Sequence, residues 1–239
     1  LLWDVGIAPG LSNMLVKKSE NEIGDLNKIH IKVGGNPTNK DSNWSYMAPF
    51  SPSDVIEEYT RPARIIENGE IITVPALSER HLIDVEYHGE MEAFLTDGLR
   101  SVLTSISAKE MKEYTVRWPG HIDKWLSEGK HMEESDLLEQ WKFDSGKKEF
   151  TWLEVVNSNS NGEIRWMVYD CGKDGDSSMA RTTGLVTAAC TILFLENGPL
   201  KGCGLEDGIH PPENLSQSSI DYIVQYLRNN GVEIKKTRL

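Results

Sequence analysis

An α+β fold with a mixed or antiparallel sheet is what this sequence predicts, and three observations carry the prediction. β-rich runs come in hairpin pairs, helical periodicity is interleaved between the pairs, and the two ends of the chain differ in pattern from its middle. Residues 1–5 read as the end of a buried strand, broken by Gly6 and by Pro9-Gly10. Residues 11–18 read as a helix with Leu11, Met14 and Leu15 on one face. Residues 29–33 alternate as a half-buried strand ending at Gly34-Gly35; a loop rich in Asn, Ser and Pro follows, then a short helix at 53–58 capped by Ser53. Asn68-Gly69 joins the runs 64–66 and 71–74 into a hairpin, and 83–87 is a further strand.

Past the turn Thr96-Asp97-Gly98, residues 99–106 read as a helix and 114–118 as a buried strand closed by Pro119-Gly120. Residues 121–129 follow as a helix with Ile122, Trp125 and Leu126 on one face. Strands at 149–156 and 163–169 flank an Asn- and Ser-rich hairpin loop. The apolar stretch 180–196 reads as a buried helix, 219–229 as an amphipathic helix and 232–235 as a last strand. The opening strand-turn-helix and the closing helices fit a separate α/β layer. The expected organisation is 1–18 as the tail of a second domain, 19–180 as the α+β domain and 181–239 as the return to the second domain. An opening strand with no earlier strand to pair with is read as the mark of a chain whose preceding part is missing.

Composition narrows the function classes. Hydrophobic residues at 38% and charged residues at 26% suit a folded chain with a real core. A net charge of -12 argues against nucleic acid and against an anionic membrane surface as partners. No uninterrupted apolar run of about 18 residues occurs, so no membrane span is expected. Cys171, Cys190 and Cys203 have neither disulfide-framework nor metal-ligand spacing, which points to free thiols in a reducing, cytoplasmic setting, with Cys190 in the core. His88-Gly89-Glu90 and His131-Met132-Glu133 lack a following Cys-x-x-Cys and read as solvated surface pairs, so no metal is expected.

Arg117 lies in a strand of apolar and aromatic residues, where a guanidinium must be paired to be tolerated. It suits either a structural salt bridge or a substrate carboxylate held by two parallel bonds, and the same choice applies to Arg100, after Asp97-Gly98. His121, at an expected helix N-terminus, suits a neutral proton acceptor or a packing residue. Arg181, Thr182 and Thr183 open the long apolar helix and suit anion binding or plain capping. No Gly-x-Gly-x-x-Gly or Walker loop occurs, and no nucleophile has an evident base partner.

The string from Asp4 through Val5-Gly6-Ile7-Ala8-Pro9-Gly10 to Asn13 resembles the last strand and turn of the nucleotide domain in saccharopine dehydrogenase-type reductases. In the same order follow Val33-Gly34-Gly35-Asn36-Pro37, Trp44-Ser45, Glu58-Tyr59-Thr60-Arg61-Pro62-Ala63, Thr96-Asp97-Gly98-Leu99-Arg100-Ser101, Thr115-Val116-Arg117-Trp118-Pro119-Gly120-His121, Ser178-Met179-Ala180-Arg181-Thr182-Thr183-Gly184 and Gly208-Ile209-His210-Pro211-Pro212-Glu213. So many stretches in one order, along nearly the whole chain, are similar to that family, and those around Glu58, Arg100 and His121 look closest to L-lysine 6-dehydrogenase.

The resemblance implies a two-domain Rossmann-type reductase using NAD or NADP, with an inserted α+β domain that supplies substrate contacts and a homodimer sheet. It implies substrate-carboxylate binding at Arg100, substrate contacts at Thr115, Val116 and Arg117, and a nicotinamide-side turn at Val5, Gly6 and Ile7. The lysine and aspartate that such enzymes use for proton transfer lie outside this chain; His121 is the one candidate within it. The expected function is the substrate-binding and dimerisation part of an NAD(P)-dependent oxidoreductase acting on the CH–NH2 or CH–NH group of lysine, saccharopine or a related diamino acid. The alternative is a stand-alone, non-catalytic amino-acid-binding or assembly module.

Overall fold

The computed structural model describes residues 1–173, 175–197 and 203–239. Strand β6 (Glu110–Arg117) organises the sheet, because both of its edges are used along their length. On one side it runs parallel to β1 (Lys28–Pro37), in register from Lys28 opposite Glu110 to Val33 opposite Thr115. Two hairpins share the other side. β2 (Ala63–Glu67), paired with β3 (Glu70–Val74), meets the first residues of β6. β5 (Gly89–Leu95), paired with β4 (His81–Val85), meets the rest. Beyond β1 lie β7 (Glu149–Asn159), β8 (Gly162–Cys171) and β9 (Glu233–Arg238), each antiparallel to its neighbour. One parallel pair among antiparallel ones makes the sheet mixed, as the sequence predicts.

Helices α1 (Leu11–Ile23), α3 (Val102–Ser105), α6 (Ser178–Asn197) and α7 (Gln217–Asn229) share one hydrophobic core with Ile29, Ile31, Met111, Leu153 and Val155 of the sheet. The opposite face buries Tyr114, Val116, Trp118, Phe150 and Trp152. A third, aromatic cluster forms where α2 (Pro52–Thr60), α4 (His121–Ser127) and α5 (Glu134–Gln140) meet, around Trp44, Tyr59, Phe94, Trp125 and Trp141. Helix α7 shows the local logic: Ile220, Ile223, Val224 and Leu227 form its buried stripe, and the Ser216 hydroxyl accepts from the Ser219 amide at 3.2 Å. Each such buried aliphatic side chain contributes roughly 1.5–3 kcal/mol.

Several expected boundaries move, each for a physical reason. β1 continues through Gly34-Gly35 to Pro37 because β7 goes on pairing with it, Gly34 opposite Trp152 and Pro37 opposite Glu149. The expected loop of 157–162 contracts to a two-residue turn at Ser160-Asn161, since strand pairing persists to Asn159 opposite Gly162. The helix expected at 99–106 forms only as α3, because Arg100 takes φ +53°, a left-handed conformation no α-helix continues through. α1 runs past residue 18 to Ile23, and α5 has no counterpart among the expected elements. Leu126 turns out to be 38% exposed, and His88 is no solvated pair: its ring stacks on Phe150 with centroids 3.5 Å apart.

The opening residues form one parallel bridge, Leu2 with His210, rather than a paired strand. The segments 1–18 and 181–239 share the sheet's core, and β9 extends the sheet itself. α6 corrects the expectation that no segment is apolar enough for a membrane, because by length and composition Ser178–Glu196 could cross one. Here it lies against the sheet, burying Ser178, Thr182, Val186, Ala189, Cys190 and Leu193 along one stripe and leaving Leu195 exposed. Only 33% of that apolar stretch is buried, so the helix is buried along one stripe and not all round as the sequence suggests.

Candidate functional site

Three segments that are far apart in sequence are drawn together around a turn that only glycine can close. Gly10 has φ +133°, and a Cβ there would lie 2.1 Å from the Gly6 carbonyl oxygen. Behind this turn Asn13 Nδ2 donates to Ser101 Oγ at 3.0 Å and to Glu213 Oε2 at 3.3 Å. Residues 4–9 of the turn share one cavity wall with Gly34 and Gly35 of β1 and with Thr115 and Arg117 of β6. The alternation of β6 sends Glu113, Thr115 and Arg117 to one face and Tyr114, Val116 and Trp118 to the other.

The result is a cavity of about 420 Å³ walled by the 4–9 turn, Gly34 and Gly35 of β1, Thr115 and Arg117 of β6, Glu58 of α2, and Met179 and Thr183 of α6. Arg117 is its chemical centre, only 3% exposed. Its Nη2 donates to Glu58 Oε2 at 3.0 Å, its Nε to the Tyr59 hydroxyl at 2.9 Å and its Nη1 to the Val116 carbonyl at 3.1 Å. The guanidinium also lies 4.6 Å from the centre of the Tyr46 ring. Three of its five N–H groups are thus used, leaving one on each terminal nitrogen. Burial pushes the Glu58 carboxyl up while Arg117 pulls it back down, with a net rise.

Hydrogen-bond direction along the wall follows from one carbonyl. His121 Nδ1 lies 3.0 Å from the Trp44 backbone oxygen, which only accepts, so Nδ1 carries the proton and Nε2 accepts. The Tyr59 hydroxyl, 2.9 Å from Nε2, therefore donates to it and accepts from Arg117. Burial, helped by the Arg117 charge, drives the His121 imidazole down to about 3, and burial likewise holds the Tyr59 phenol above its ordinary range. His121 is neutral because it is buried, with the helix dipole unneeded. It stands behind Arg117 as a positioning residue, and both ring nitrogens are occupied.

Of the residues singled out in the sequence, Val5, Gly6, Ile7, Thr115 and Arg117 meet at this cavity. Val116 does not: its side chain is in the opposite core, and only its carbonyl serves the site, accepting from Arg117 and from Asn36 Nδ2. Arg100 is held off the cavity by Asp4, with Nε 2.9 Å from Oδ2, and it is Asp4 that lines the wall. Arg181 is engaged by Asp170 at 2.9 Å and by the Asn230 carbonyl, while Ser178 caps onto Glu149, so that helix end is capped; of Arg181, Thr182 and Thr183, the cavity wall takes Thr183, beside Met179. Glu58 and Tyr59 were visible in the sequence only as part of a familiar stretch; neighbouring positions on a short amphipathic helix carry no signal that both will face one arginine. A larger cavity of about 600 Å³ runs along α6 past Leu2, Cys190 and Phe194, and among the described residues its charged side chains are Asp4 and Asp207.

Fold and site together define an α+β domain that presents a buried, ion-paired arginine at the mouth of a small cleft. The chain belongs to the saccharopine dehydrogenase C-terminal domain family, whose model matches residues 6–232. Its fold is similar to that of apo histidine-tagged saccharopine dehydrogenase (L-Glu forming) from Saccharomyces cerevisiae, with a TM-score of 0.78 over 100% of this chain and 74% of that one. At 16% sequence identity the likeness is one of fold.

Proposed function

We propose that the cleft binds the α-amino-acid end of a substrate for an NAD(P)-dependent oxidoreductase acting on the CH–NH2 or CH–NH group of lysine, saccharopine or a related diamino acid. The observation that carries this reading is the Arg117–Glu58 pair, 3.0 Å apart and both lining one cavity. A zwitterion presents the complementary pair, carboxylate to the remaining N–H groups of Arg117 and ammonium to Glu58, so neither buried charge is left uncompensated. A volume of about 420 Å³ suits a molecule of amino-acid size.

The turn at Val5, Gly6 and Ile7 gives the opposite wall apolar edges and backbone, a surface that supports reading it as the nicotinamide side. The chemistry that a bound NAD(P) would supply there is acceptance of the hydride from the nitrogen-bearing carbon. This chain's own residues bind and orient: Arg117, braced by Tyr59 and His121, fixes the carboxylate, and Glu58 fixes the nitrogen end.

The test is calorimetry of the chain with L-lysine and saccharopine, with NAD and NADP reduction followed in the full gene product. Arg117→Ala is expected to weaken binding roughly 100-fold, about 2.7 kcal/mol. Unchanged affinity would remove the arginine clamp. Binding without turnover in the full product would make the chain an amino-acid-binding module instead.

A further inference from the structure

A second carboxyl behind the cleft plays no part in the reading above. Glu113 is 4% exposed and is clasped by the turn that follows β5. A Cβ at Gly98 would lie 2.5 Å from its Oε2, so only glycine leaves the carboxyl room. The Thr96 hydroxyl lies 2.5 Å from Glu113 Oε2 and 2.9 Å from the Thr115 hydroxyl, and Thr115 lines the cleft two residues before Arg117 on the same face of β6. Each hydroxyl owns one proton, so this three-member chain has two states. If Glu113 is ionised, Thr96 must donate to it, Thr115 must donate to Thr96, and Thr115 shows the cleft a lone pair. If Glu113 carries a proton on Oε2, it donates to Thr96, Thr96 donates to Thr115, and Thr115 points its proton into the cleft, while the Gly98 amide goes on donating to the carboxyl.

We propose that Glu113, acting through Thr96, sets whether Thr115 accepts from or donates to the ligand atom beside the Arg117-held carboxylate, so that the cleft distinguishes an amine from its carbonyl counterpart. This rests on the amino-acid reading of the cleft. An ionised Glu113 favours the N–H of an ammonium group, and a protonated one favours a carbonyl oxygen. Burial pushes the Glu113 carboxyl up to about 8 against the Thr96 hydrogen bond, which places both states within reach of neutral solution. The charged groups facing it are Glu58 on α2 and Asp97 in the turn, both of which add to the rise. Asp97 is itself held by Arg64 of β2 at 2.9 Å and by Arg61 of α2 at 3.8 Å, and Glu58 by Arg117. On β1 the register partner is the uncharged Ile31.

Two measurements test this. Without ligand, the ¹³C carboxyl titration of Glu113 is followed in the chain and in Thr115→Val. Loss of the donor behind Thr96 is expected to raise the midpoint by about half a unit, and an unmoved midpoint overturns the relay. With ligand, calorimetry near pH 8 in buffers of different ionisation heat compares L-norleucine with 2-oxohexanoate, which share chain and carboxylate and differ at the α-carbon, ammonium against oxo oxygen. Proton release with the amine and uptake with the oxo acid are expected, and both should vanish in Glu113→Gln, whose amide mimics the protonated acid. The same sign for both ligands, or no change in Glu113→Gln, overturns the proposal. If neither ligand binds while Thr115→Val still moves the midpoint, the amino-acid reading fails and the relay stands.

Discussion

Arg117 and Arg100 flank the same turn, yet they are built on opposite principles. Arg117 is 3% exposed, sits on a central strand and is wired to Glu58, to Tyr59 and to a backbone carbonyl. Arg100 has a side chain 41% exposed, sits on a left-handed turn residue and pairs with Asp4, with the Trp3 ring 5.9 Å away. A buried guanidinium is tolerated only when its surroundings are arranged for it, so its geometry is set before any ligand arrives. An exposed pair lets water replace either partner at little cost. The cleft's binding geometry should therefore depend on the first arginine and hardly at all on the second.

Arg117→Ala tests the comparison at its strongest. Besides the lost ligand affinity, it leaves Glu58 and Tyr59 without their partner, and the unfolding free energy should drop by about 3–5 kcal/mol in a urea titration. An equal drop for Arg100→Ala would erase the distinction. His121 sharpens it through pH. Its folded value, about 3, lies below the ordinary 6.5, so its contribution is present above pH 6.5 and is lost as pH falls. Between pH 6.5 and 4.5 the chain should lose up to about 1.4 kcal/mol per pH unit from this group. His30, lowered to about 4 by burial first and by Lys28, adds to the loss in the same direction. His121→Gln should remove its own share of that slope, and an unchanged melting profile against pH would mean the imidazole is not held neutral.

Glu58→Gln keeps the size of the Arg117 partner and removes its charge. Affinity for L-lysine should fall about tenfold while affinity for a simple carboxylate such as hexanoate holds or rises; equal losses for both would take Glu58 out of nitrogen binding. The smallest effect is expected at Arg100→Gly. Loss of an exposed ion pair, about 0–1 kcal/mol, is offset by relief of the positive φ, so stability and lysine affinity should both stay within about threefold of the parent chain.

Much of the fold was legible because its signals are local. Asn68-Gly69 names its hairpin through the turn it prefers, α7 shows its stripe by spacing, and the strand around Arg117 shows itself by β-branched and aromatic residues. Arg117 itself stood out because a charge in such a strand demands a partner. The partners were not legible. Glu58 and Tyr59 lie 59 and 58 residues away, and their meeting with Arg117 depends on how α2 packs beside β6.

Determined by the sequence alone were the α+β class, the hairpins at Asn68-Gly69 and at 157–162, and the residue types able to hold a carboxylate, since these rest on period, turn chemistry and composition; the β4–β5 hairpin was not among them. Decided only in three dimensions were the truncation of α3 by Arg100, the turning of Val116 away from the cleft, the retreat of His121 behind Tyr59, and the path from Glu113 through Thr96 to Thr115. Each of these depends on which side chains share a face or a buried hydrogen bond. Period-2 alternation limits that choice along one strand, but only packing between distant segments completes it.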